Sequence, residues 1–135
     1  MKSYLFGILL ICFLLSTTAF AVSDGSIIED VQLVSQNEDN VIVDKQVMVV
    51  ADLSNGQDRS QNFAYIVQIQ DENELVISLS WLTGNLTPRQ TFSPALSWTP
   101  AVSGTYTIEI FVWDSINNPD ALSAPLLLSI NVIEN

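Results

Sequence analysis

The side chains able to do chemistry are few in kind. Carboxylates dominate: 15 Asp and Glu stand against 4 Lys and Arg, with no histidine and one cysteine, in 135 residues of formal net charge -11. Without histidine, a Ser/His/Asp or Cys/His relay cannot be assembled from this chain. Zinc and copper sites of the usual His/Cys kind are excluded for the same reason. So little positive charge also argues against nucleic-acid binding, which depends on replacing phosphate counterions. What is left is oxygen chemistry. Paired carboxylates can run glycoside hydrolysis, but every acid here falls in an expected loop or on an outward strand position. No insertion is long enough to wall a pocket around them, so the chain is not expected to be an enzyme.

Oxygen-only donors suit calcium, which takes about 6–8 oxygens. Glu38, Asp39, Asp44, Asp71, Glu72 and Glu74 would gather at one end of the molecule if the strand order is immunoglobulin-like. Asp39, Asp44, Asp71 and Glu72 are the candidate metal ligands, with calcium as the one cofactor the donors suit; the alternative is no cofactor at all and a solvated acidic rim that confers solubility. Asp114, Asn117, Asn118 and Asp120 form a second polar loop open to the same two readings. Asn85-Leu86-Thr87 is an N-glycosylation sequon, expected in a surface loop.

The elements that must position these groups show a period of two with recurrent turn residues, the pattern of strands. Seven runs stand out: Ile27 to Ser35, Gln46 to Leu53, Asn62 to Gln70, Leu75 to Leu82, Thr91 to Trp98, Thr105 to Trp113 and Pro125 to Ile133. Pro94 interrupts the fifth run and marks it as an edge or bulged strand. In the sixth, Tyr106, Ile108, Ile110 and Val112 face one way and are expected in the core. Trp81, Trp98, Tyr65 and Phe92 are likewise expected inward. Phe111 and Trp113 then project from the opposite face, with Ile66 beside them on a neighbouring strand. An exposed apolar patch of that kind marks contact with a partner; the alternative is that the loop 114–124 folds over it.

The first segment reads as an address. Lys2 precedes an almost unbroken apolar stretch from Tyr4 to Phe20, and Ala19-Phe20-Ala21 supplies a small-x-small cleavage pattern. Residues 1–21 are expected to be a signal peptide and 22–135 one domain; the alternative is an uncleaved membrane anchor. Cys12 leaves with the segment, so the domain holds together by apolar packing without a disulfide.

Trp98-Thr99-Pro100-Ala101-Val102-Ser103-Gly104-Thr105-Tyr106 resembles the W-x-P-x-x-x-G-x-Y corner of immunoglobulin-like and fibronectin-III-like domains in prokaryotic surface proteins, the CARDB domains among them. Gln61 to Val67, Phe111 to Asp114 and Asn118-Pro119 are similar to modules in exported proteins of ammonia-oxidising archaea. The resemblance implies a tyrosine corner, with Gly104 at the bend and the Tyr106 hydroxyl bonded back to the preceding chain. Glu74 stands where such families carry glycine in the hairpin after the third strand, which would leave Asn73 to take the left-handed conformation.

The expected fold is therefore an all-β, seven-stranded antiparallel immunoglobulin-like β-sandwich preceded by a signal-peptide helix. The expected function is that of a secreted or cell-surface binding or adhesion module whose partner is a protein or an envelope glycan. The alternative is a membrane-anchored structural component of the cell envelope, stabilised by calcium; a membrane enters only if the first segment is retained.

Overall fold

The computed structural model describes residues 28–35 and 40–135. The expected signal segment, its cleavage point and Asp39 lie outside the described residues. Among the described residues nine strand segments follow in order: β1 (Ile28–Ser35), β2 (Val41–Ile42), β3 (Val47–Ser54), β4 (Gln61–Gln70), β5 (Val76–Leu86), β6 (Thr91–Phe92), β7 (Ala95–Trp98), β8 (Gly104–Trp113) and β9 (Leu126–Ile133). They form two sheets. In one, β3 pairs with β1 on one side and with β6 and β7 on the other; the second has the order β2-β9-β8-β4-β5.

The seven expected runs are all present. The fifth is split by Pro94 into β6 and β7, and the backbone N–H of Ala51 bonds to the Pro94 carbonyl at 3.2 Å across the break. Two details depart from the expectation. β2 pairs with β9 in parallel, Val41 beside Val132, so the sandwich is not wholly antiparallel. β5 runs on to Leu86, through residues expected to be loop, because β4 offers it continuous partners as far as Gln61.

Alternation decides which side chains meet between the sheets. β3 contributes Val47, Val49, Ala51 and Leu53; β4 contributes Phe63, Tyr65, Val67 and Ile69; β8 contributes Tyr106, Ile108, Ile110 and Val112. All are buried, and removing such surface from water at ~25 cal/mol per Å² is what stabilises a small domain. A directional bond crosses this apolar seam: the Tyr65 hydroxyl on β4 donates to the Val49 carbonyl on β3 at 3.0 Å. Burial pushes the Tyr65 phenol well above its ordinary pKa of 10.0, since the phenolate would be stranded among apolar groups.

The corner forms as the resemblance implies. Gly104 sits at φ 147°, a conformation that disfavours a side chain. The Tyr106 hydroxyl donates to the Val102 carbonyl at 2.6 Å, and the Trp98 and Tyr106 rings meet edge to face at 5.1 Å.

Candidate contact surface

The outer face of the five-stranded sheet carries the residues singled out for contact. Register sets Trp81, Ile66 and Phe111 in one row across β5, β4 and β8. Thr83, Ala64 and Trp113 form the next row, and the Phe111 and Trp113 rings lie 5.7 Å apart. Phe111 and Trp113 are half-buried, and Ile66 is 5% exposed beneath the aromatic groups around it. The loop after β8 runs alongside: Trp113 bridges to Ala121, and the Leu122 N–H donates to the Val112 carbonyl at 2.8 Å.

Trp81 corrects the expectation that it points inward. It pairs with Ile66, shares that residue's outer face and is 54% exposed. The alternation of β5 points the opposite way from its burial: Leu79 and Trp81 share the outer face, and Ser78 and Ser80, paired with Ile69 and Val67, share the inner one. Phe92 is also more open than expected, at 40% exposure, although its ring still lies 6.0 Å from that of Phe63.

At the corner end, Asp71 and Glu72 share the lining of an open pocket of about 440 Å³ with Trp98 and Tyr106. The Asp71 carboxylate serves its own turn: Oδ1 accepts the N–H groups of Asn73 and Leu75 at 2.8 and 3.0 Å. Glu74, not Asn73, takes the left-handed conformation, at φ 62°. The reason is the turn type. The Glu74 N–H closes a turn on the Asp71 carbonyl at 3.0 Å, and the residue after such a turn must be left-handed for the hairpin to close. Asp44, also at φ 62°, donates its backbone N–H to the Pro100 carbonyl at 2.8 Å at this same end. Among the described residues, no three acids, cysteines or histidines gather closely enough to hold a metal ion.

The opposite end is organised by a residue that sequence reasoning treated as loop. Asn55 is fully buried. Its side-chain amide faces the carbonyls of Arg59, Leu86 and Thr87 at 2.8–3.1 Å, and its Oδ1 accepts the Gln57 N–H at 3.1 Å. Its backbone bonds to Gln90 and Arg89, at 2.9 Å each. The one available signal was an Asn-Gly directly after a strand, which reads equally well as an ordinary exposed turn. Asn85, the sequon residue, is exposed on the last turn-ward part of β5 and donates to the Asn62 Oδ1 at 2.8 Å. The sequon thus straddles the end of β5: Asn85 and Leu86 are its last residues, and Thr87 opens the loop that follows.

This geometry defines an immunoglobulin-like β-sandwich of the CARDB kind. Residues 13–133 match the S-layer A-like family, and the chain belongs to it. Among solved structures, the C-terminal domain of Wzt superposes with a TM-score of 0.65 at 13% identity, over 82% of this chain and 75% of that one. The CARDB domain of a Pyrococcus furiosus protein, solved in complex with di-metal ions, does so at 0.57 and 20% identity, over 82% of this chain and 97% of that one. At such identities the likeness shows the fold. No curated protein matches the chain. Family membership and the CARDB-like fold suggest an extracellular or cell-surface module. Among the described residues, no helix is long and apolar enough to cross a membrane.

Proposed function

We propose that the chain is a surface module that works by contact and not by catalysis, and that the outer face of the five-stranded sheet is what it presents. The observation that carries this reading is Trp81: a large aromatic side chain, 54% exposed, in line with Ile66 and Phe111 on the solvent side of a sheet. Tryptophan in that setting is the residue type most often found to dominate binding energy. The absence of histidine from the whole chain supports the non-catalytic half of the proposal. Membership of an S-layer-like family supports a partner in the cell envelope, a protein or a glycan.

Binding of the full chain to envelope fragments of its host tests this directly. Trp81→Ser and Phe111→Ser should each weaken binding about tenfold or more, and Trp81→Ser should leave the melting temperature near that of the unaltered protein. Binding that survives both changes would sink the reading.

The family also favours a second reading, a structural component of the envelope; in that reading the N-terminal segment would be retained as an anchor and the acidic loops would take calcium. Fractionation separates the two. A chain found only in membranes, with a melting temperature raised by calcium, supports the structural role; a chain released into the medium supports the contact module.

A further inference from the structure

The five-stranded sheet ends in an unusual edge. β5 spans 11 residues, Val76–Leu86, and among the described residues it pairs with β4 alone. Its sequence, VISLSWLTGNL, holds no charge and no proline. Natural edge strands are ordinarily blunted by charge, proline or shortness, because a free row of N–H and C=O groups invites another strand. The other edges among the described residues are short or carry charge in their sequence. β2, β6 and β7 are two, two and four residues long, and β1 carries Glu29 and Asp30.

Charge at the two ends of β5 says what kind of strand would fit. Asp71, Glu72 and Glu74 lie in the turn that leads into it. At its far end stand Arg59 and Arg89, two of the four basic residues in the chain, held there through Asn55. Arg89 pairs with Asp58 at 2.9 Å, both side chains being exposed, which leaves this end of β5 with one net positive charge; Asp114 lies two strands further in. The edge is therefore acidic before the strand, neutral along it and basic after it. Laid antiparallel on itself, such an edge is self-complementary.

We propose that β5 is the dimerisation edge, pairing antiparallel with β5 of a second copy about a two-fold axis at Ser80. That register sets Leu79 opposite the partner's Trp81, and by symmetry repeats it; it also brings the acidic turn of residues 71–74 towards the partner's loop that carries Arg89. Two five-stranded sheets become one continuous sheet of twice the width. Elsewhere two copies of so acidic a chain would meet acid to acid. Along β5 they meet through neutral backbone, with opposite charges at both ends. This goes beyond the contact proposed for the outer face and does not depend on it, because β5 pairs by its edge and the face stays open.

Sedimentation equilibrium of the full chain is the test. A monomer–dimer equilibrium is expected, weakening with added salt. Leu79→Lys should raise the dimer dissociation constant about tenfold or more, since it sets a charge along the pairing edge. Arg89→Glu should raise it about threefold, and Glu72→Lys combined with Arg89→Glu should recover the original value. Both of those side chains are exposed, so the charge-reversal arm stands even if Leu79→Lys perturbs the fold. A monomer at every concentration overturns the proposal, and so does a dimer that Leu79→Lys and Arg89→Glu leave intact. Loss of envelope binding in Phe111→Ser with the dimer unchanged separates the two surfaces.

Discussion

β4 and β5 are hydrogen-bonded neighbours along almost their whole length, and both read as alternating apolar strands. Their fates are opposite. β4 is buried on both faces from Phe63 to Val67, whereas β5 is mostly open, with Val76, Leu79 and Trp81 more than half exposed. Composition explains part of this: Phe63 to Val67 is an unbroken apolar run, whereas β5 interleaves Leu79 and Trp81 with Ser78 and Ser80. β4 lies between β5 and β8, so aromatic and aliphatic groups on both neighbours cover its outer side chains. β5 has a neighbour on one side only. Rank in the sheet, more than hydrophobicity, decides what a strand contributes to stability and what it offers to solvent.

The sharpest test of that contrast is a matched pair of truncations. Ile69→Ala on β4 should cost about 3 kcal/mol in urea unfolding, because a side chain that is 1% exposed leaves a cavity behind. A cost below about 1 kcal/mol would mean the seam collapses readily around it. Asn55→Ala comes next, at about 2 kcal/mol, since several buried backbone groups lose their partner at once; a fall confined to the Asp71 end in hydrogen exchange would contradict its role.

Tyr65→Phe should cost about 1 kcal/mol at neutral pH by removing the bond to Val49. It should also alter the alkaline limb. The folded-state pKa of Tyr65 is raised above the ordinary 10.0, so its contribution is complete below that pH and is lost as pH rises beyond it. Stability measured across that range should fall less steeply in Tyr65→Phe, and identical limbs would show that the phenol titrates alike in both states. The smallest effect belongs to β5: Leu79→Ala should change the unfolding free energy of the monomer by less than about 0.5 kcal/mol. A larger loss would place Leu79 in the core and erase the contrast.

Much of this architecture was legible because it rests on local rules. The alternation in Tyr106, Ile108, Ile110 and Val112 named the core face of β8, Pro94 named the break between β6 and β7, and the Trp98–Tyr106 stretch named the corner. The contact face was half legible. Phe111 and Trp113 follow from the parity of β8, but that of β5 misleads, because its apolar residues Leu79 and Trp81 face outward while Ser78 and Ser80 face inward. Asn55 was hidden for a different reason. Its carbonyl partners Leu86 and Thr87 lie 31 and 32 residues away, and no local pattern announces a polar side chain whose bonds are that remote.

The bond from Tyr65 to Val49 has a mechanical consequence. Two greasy layers pressed together resist separation but tolerate sliding, because apolar attraction has no preferred direction. A hydrogen bond does have one, and this one fastens a middle strand of each layer to the other. Tension drawn along the strands of a module at the cell surface would load that pin in shear, together with the Asn55 bond that ties the end of β3 to Leu86, before it peeled any ladder apart.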